Sequence, residues 1–414
     1  MKRTARDNRE RRPKPVERIE LNEEHTGRRL IAAGVLLVFG AAMLAYAFGQ
    51  LLSPEEEWIT VEGSSSAGAS SAEEFSFLYR PGSGDRPYTA DRKAVTVLYS
   101  QLCRETFQLF HNMEAFEGVT NIYTINRRPN EVLEVAPALY EAFAAVERSG
   151  SRALYLGPVY ERYSNLFFCW DDSLLVDFDP RLSPEVAQEY REYAAFANDP
   201  QAVRLELLGE NRIRLFISQE YLEYARREGI ENFIDFAWMR NAFIADYMAG
   251  ELTAQGYTHG VLASYDGFIR CLDSSGEDYS LSIYDQKEGA AYTAAMMRYR
   301  GPKSIVCLRD YPINELDESR FYRLRSGEVR TPYVDIADGV CRNSVSGLTG
   351  YAGDKGCGEI LLEMMPVYIA DVLQEDALEA LAEKGIDFVY CENETIYASG
   401  ETAFSQIYEG YQVK

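Results

Sequence analysis

The chain has 414 residues with 42 Lys/Arg against 65 Asp/Glu, a formal net charge of −23. A body this acidic repels the phosphate backbone, which excludes DNA and RNA as partners. Seven Cys without CxxC spacing and three His leave no Cys/His zinc pattern, and no GxSxG, P-loop, HExxH or GxGxxG sequence occurs.

In chain order, residues 1–29 hold ten Lys/Arg and six Asp/Glu, and Leu30–Leu52 then runs 23 residues without a charge. At about 1.5 Å per residue, that run crosses the hydrocarbon core of a bilayer as one helix. Arg28 and Arg29 precede it and Glu55, Glu56 and Glu57 follow it. The positive-inside rule therefore puts 1–29 in the cytoplasm and the rest outside, with 30–52 as an uncleaved anchor; a cleaved signal peptide is the rival reading. Residues 53–90, including the polar stretch EGSSSAGASSAEE at 62–74, read as a flexible linker. Residues 91–414 are then the folded extracytoplasmic domain.

Within that domain, Asp91–Met113 spaces its apolar residues three or four apart, as an amphipathic helix does. Pro137–Arg148 is a second helix, stopped at Ser149-Gly150, and Ser183-Pro184 opens a third. VRLELLGENRIRLFIS is a hairpin about Gly209-Glu210-Asn211, and Ser218 caps the next helix, which ends near Gly229. The stretch from Ile234 to Ile269 reads as a helix feeding a strand. Strands YSLSIYD and SIVCLRD, a hairpin about Ser326-Gly327, a helix over 358–381 and a last strand pair, IDFVYCE and TIYAS, complete the series. Helices and antiparallel hairpins mix without a repeating βα beat, so the fold class is α+β with mixed or antiparallel sheets and flanking helices.

Several motifs follow one another in a telling order. Asn121–Asn126 precedes an extended Glu131–Val135 and the Pro137 helix, and Gly157-Pro158 comes next. Asp235-Phe236 and Asp246 bracket the central helix, followed by Leu262–Ile269 with Asp266-Gly267, then Tyr333-Val-Asp335-Ile-Ala-Asp338-Gly339, Ser344-Val345 and Gly358-Glu359-Ile-Leu-Leu-Glu363. This order resembles the bacterial FAD:protein FMN transferases, the ApbE-like family, over most of residues 91–400.

The resemblance implies a flavin-transferase-like fold and an enzyme, outside the bacterial cell membrane, that uses Mg²⁺ to cleave FAD and attach FMN to a Thr or Ser of a target. Its partner would be a flavin-accepting or other membrane or extracytoplasmic protein. The family pattern D-L-G-G-I-A-K-G-Y-x-x-D is altered here: Ala237 and Trp238 replace two glycines, Asn241 the lysine and Ala242 the next glycine. Tyr333 stands at a histidine, and Glu359 and Glu363 at the metal-binding Asp and Thr.

By that match Asp235, Asn241, Asp266, Gly267 and Asp335 are the candidate flavin-nucleotide residues, and Glu359 with Glu363 the candidate Mg²⁺ ligands. Other roles stay open: a helix cap for Asp235, a hairpin turn for Asp266-Gly267, a solvated helix face for Glu359 and Glu363 at i and i+4, and packing for Tyr333. His111 and His259 read as structural. Loss of the glycines and lysine opposes a dinucleotide phosphate, since a bulky Trp238 blocks backbone approach. Two functions follow: Mg²⁺-dependent FMN transfer, or a non-catalytic flavin- or protein-binding module on the same fold.

Overall fold

The computed structural model describes residues 58–64, 70–82 and 86–414. The basic segment and the expected anchor at 30–52 lie outside the described residues. Among those described, no helix is long and apolar enough to cross a membrane.

The centre of the fold is a nine-stranded sheet. In spatial order its strands are Ile59–Thr60, Phe75–Tyr79, Gly260–Ser264, Phe268–Cys271, Lys303–Arg309, Gly347–Ala352, Asp387–Glu392, Thr395–Ala398 and Gln412–Val413. Neighbours pair antiparallel except the last two, which run parallel. A three-stranded sheet joins Ala403–Ile407, Ala290–Arg300 and Asp278–Lys287, and a second joins Val132–Glu134, Arg212–Ile217 and Val203–Gly209. The α+β class is as the sequence implies.

Helices cover the central sheet. Arg240–Ala254 buries Asn241–Ala245, Met248, Ala249 and Leu252, because it packs against helix Tyr88–Phe110, helix Cys357–Tyr368 and the sheet. Expected signals take their places locally. Ser183 and Ser218 accept hydrogen bonds from the backbone N–H groups of Val186 (3.3 Å) and Tyr221 (3.2 Å). The hairpin turn at Gly209, Glu210 and Asn211 has φ of 79°, 52° and 57°.

Two stretches differ from the sequence expectation. Part of the expected linker at 53–90 is structural: Phe75, Phe77 and Tyr79 are buried on one face of their strand while Leu78 points out. Alternation over only five residues beside a Ser-rich run is a weak signal, and its partner, Gly260–Ser264, is far away in sequence. The helix expected over 358–381 is two helices, Cys357–Tyr368 and Glu375–Glu383. The break after Tyr368 lets Leu378 and Leu381 pack separately beside the Asp387–Glu392 strand. Ala290–Arg300, where the sequence alone marks no element, is a strand that Glu288-Gly289 (φ 50° and 85°) turns back onto Asp278–Lys287.

Candidate functional site

The loop at 232–235 is fixed by residues distant in sequence. The Asn126 side-chain carbonyl accepts from the N–H groups of Phe233 (2.9 Å) and Ile234 (3.0 Å), and its amide donates to Asn232 Oδ1 (2.7 Å) and the Ile234 carbonyl (2.9 Å). Asn126 thus spends all its hydrogen-bonding capacity on one turn. From the other side Gly157, at the start of the Gly157–Tyr163 helix, approaches so closely that a Cβ would stand 2.3 Å from the Asn232 carbonyl oxygen. The Asn121–Asn126 and Gly157-Pro158 motifs therefore meet at the turn that presents Asp235.

Asp235 is buried. One carboxylate oxygen accepts from Asn112 Nδ2 (2.6 Å) and Asn232 Nδ2 (3.1 Å), and the other from the Ala237 N–H (2.7 Å). Burial pushes this carboxyl upward, and those three donors oppose the shift. Ala237, at the family's first glycine, has φ of 44°, a left-handed conformation that a side chain resists. Trp238 is buried beside it, edge-on to Tyr333 (centroids 4.8 Å apart), and Tyr333 in turn is edge-on to Tyr368 (5.4 Å). Tyr333 is accordingly a packing residue in this wall.

These elements enclose a cleft of about 860 Å³. Its walls are aromatic, with Tyr123, Tyr160, Phe167, Phe168 and Trp238, and its polar groups include Glu161, Glu231, Asp235, Arg127, Arg240 and Arg320. A concave site of that size, mostly apolar with a few polar groups, suits a small ligand or a side chain. Its arginines are already engaged: Arg127 with Glu231, Arg240 with Glu74, and Arg320 with Asp266 (3.4 Å).

Asn241 and Asp266 meet next to this cleft. Asn241 Nδ2 donates to Glu74 Oε2 (2.9 Å) and to Asp266 Oδ2 (3.1 Å), while Asn241 Oδ1 and Asp266 Oδ1 are buried without a partner. Gly267 turns the hairpin between Gly260–Ser264 and Phe268–Cys271 with φ of 106°, and a Cβ there would lie 2.4 Å from the Cys307 carbonyl oxygen. Glycine is required both by conformation and by space.

The remaining candidates are engaged elsewhere. Asp335 accepts from Arg342 Nη1 (3.0 Å), a guanidinium that also holds Asp338 (2.7 Å) and Asp371 (3.1 Å). Glu359 is half-exposed and paired with Lys355 (2.7 Å), one turn back on the same surface, and Glu363 is paired with Lys384. Among the described residues no three acidic, His or Cys side chains gather to hold a metal. These residues do not fit the oxygen shell that Mg²⁺ demands. The start of their helix is capped by Asp246, which accepts from the N–H groups of Cys357 (2.7 Å) and Gly358 (2.8 Å) and pairs with Arg270. That carboxylate fills the helix terminus where an anion would otherwise sit.

Four cleft-side residues were not legible in sequence: Asn112, just past a helix end; Glu161, in a helix of only seven residues; Glu74, in the Ser-rich stretch; and Arg320. None belongs to a recognisable spacing. His111 lies between Phe107 and Phe116 (centroids 4.9 and 5.4 Å), and His259 stands 3.8 Å from Asp273.

No protein-family model matches the sequence, and no curated protein matches it either. Among solved structures, the chain is similar to the flavin transferase ApbE from Vibrio cholerae, at 15% identity over 86% of this chain and 98% of that one, with a TM-score of 0.52. A point mutant of the same protein matches at 14% identity, covering 84% and 96%, also with a TM-score of 0.52. At that identity the likeness is one of fold, and the chain has the flavin-transferase fold over most of its length.

Proposed function

We propose that this chain is a flavin-transferase-like protein that has kept the cleft as a binding site and lost the metal-assisted transfer step. The supporting observation is that the side chains at the family's metal and phosphate positions are committed to partners of their own. Glu359 and Glu363 are held by lysines, Asp335 by Arg342, and Asp235 by Asn112, Asn232 and the Ala237 N–H. The cleft itself remains open at about 860 Å³. Leu30–Leu52 would hold this module at the outer face of a bacterial membrane, where a flavin-accepting or other extracytoplasmic protein is the natural partner.

The second reading is Mg²⁺-dependent transfer of FMN from FAD to a Thr or Ser hydroxyl, with AMP leaving. It draws support from the cleft's volume beside Asp235 and from the fold. Incubation of the full chain with FAD, Mg²⁺ and acceptor proteins separates the two. Absence of AMP is the expected result; AMP release that disappears in Glu359→Gln would establish transfer instead.

A further inference from the structure

In sequence, the folded body begins close to the expected anchor. Only residues 53–57 separate Leu52, the end of the uncharged run, from Trp58. Six Cα-to-Cα steps reach about 20 Å even when fully extended. Trp58 already belongs to the folded body: its ring is edge-on to Tyr279 (centroids 6.0 Å apart), Ile59 and Thr60 pair with Tyr79 and Leu78, and Val61 is buried. A bilayer crossed by 30–52 therefore keeps this corner of the sheet within about 20 Å of its surface.

A shallow groove of about 510 Å³ opens at the same corner. Tyr79, the strand partner of Ile59, donates its hydroxyl to Asp91 (2.9 Å) in the first turn of helix Tyr88–Phe110 and packs edge-on to Tyr257 (5.6 Å). Tyr257 lines the groove together with Ala90, Ala94, Val97 and Leu98, which spacings of three and four place on one side of that helix. Val97 is half-exposed there.

Charge at this corner runs against the chain's −23. Arg86, Arg92 and Lys93 are exposed and have no carboxylate partner among the described residues. Arg86 lies over the Tyr257 ring, 5.3 Å from its centroid. Asp91, the one carboxylate among them, is buried and accepts from the Tyr79 hydroxyl and the Gly82 N–H (2.9 Å), and the neighbouring Arg80 and Glu277 pair with each other. Unpaired cations beside an apolar helix side suit a headgroup layer, and each one adds to the attraction of an anionic surface. The tether decides the occupant: it keeps lipid within reach at all times, so contacts too weak to hold a partner from solution suffice.

Resting on the anchored reading, we infer that this corner docks on the membrane that holds the chain, with Arg86, Arg92 and Lys93 against anionic lipid headgroups and Val97 at the headgroup–acyl boundary. Asn112 and Met113, just past the other end of the same helix, line the cleft. One helix thus carries the lipid contact at its start and borders the ligand site at its finish.

Amine footprinting of the full chain tests this. The chain is reconstituted in phosphatidylcholine vesicles with or without phosphatidylglycerol, treated with a water-soluble acetylating reagent, and read by mass spectrometry at Lys93 against Lys414. The expected result is that phosphatidylglycerol slows acetylation of Lys93 at least about fivefold relative to Lys414, and that about 0.5 M NaCl or Arg92→Glu removes most of that protection. Equal labelling of Lys93 in the two lipids, or protection that neither salt nor Arg92→Glu reduces, overturns the inference. Resistance to alkaline carbonate extraction is scored on the same vesicles. Release of the chain means that the anchored reading itself fails and the docking with it; retention with Lys93 unprotected falls on the docking alone.

Discussion

Gly157 and the Asn232 carbonyl stand in the tightest approach around the cleft, with room for a hydrogen and none for a methyl group, since a Cβ would lie 2.3 Å from the oxygen. Two segments are thereby locked together: the helix that carries Tyr160 and Glu161, and the turn that carries Asp235. Gly157→Ala must push them apart. The expected cost is about 2 kcal/mol or more in chemical denaturation, together with loss of cleft binding. An unchanged unfolding midpoint would show that the contact is slack.

Ala237 makes the opposite prediction. A helix or loop Ala→Gly exchange ordinarily destabilises by a few tenths to about 1 kcal/mol through the unfolded state. At φ of 44° the alanine already bears a left-handed strain of about 1 kcal/mol or more. Ala237→Gly is therefore expected to be neutral or to stabilise by up to about 1 kcal/mol in thermal unfolding. A loss of stability would mean that the alanine methyl packs well enough to outweigh its backbone.

Asp310 gives a pH dependence. It follows the Lys303–Arg309 strand, is mostly buried, and accepts from Asn343 Nδ2 (3.0 Å) through one oxygen. Burial pushes its carboxyl up to about 6, with the Asn343 bond pulling the other way. Since the folded value exceeds the unfolded one, the folded state keeps a proton that the unfolded chain releases. The stabilisation is complete below about pH 4 and is lost as the pH rises to about 6. Asp310→Asn should raise the unfolding temperature relative to the parent chain at pH 7 and leave it unchanged at pH 4. A difference that does not vary with pH would contradict the shift.

Glu359 and Glu363 test the metal. As exposed ion pairs with Lys355 and Lys384, they contribute little, so Glu359→Gln and Glu363→Gln should each change stability by less than about 0.5 kcal/mol. Millimolar Mg²⁺ should leave the unfolding temperature of the parent chain where it is. A Mg²⁺-induced rise that Glu359→Gln removes would restore these residues as metal ligands, because a bound ion stabilises the state that binds it.

Much of the local structure could be read from the chain itself. Ser183 and Ser218 cap their helices, Gly209-Glu210-Asn211 turns its hairpin, and Gly157-Pro158 and Asn126 mark the framework of the cleft. The caps and the turn act over a few residues, where backbone conformation and hydrogen-bonding groups suffice, whereas Asn126 and Gly157 were legible only through the order of motifs, since both act on the distant turn at 232–235. Phe75–Tyr79 was harder, because its strand character comes from pairing with Gly260–Ser264. The same holds for Ala290–Arg300, where the sequence alone marks no element.

The sequence by itself determined the acidic charge, the α+β class, the order of motifs and the loss of the glycines and lysine. Only the tertiary structure decided what the charged side chains do: Asp335 bound to Arg342, Asp246 at a helix start, Asp266 against Asn241 and Arg320, and Glu161 left open in the cleft. A carboxylate's role depends on which cation or N–H group lies within about 3 Å of it. Apart from Arg342, seven residues from Asp335, those partners come from segments tens to more than a hundred residues away, beyond the reach of any spacing rule.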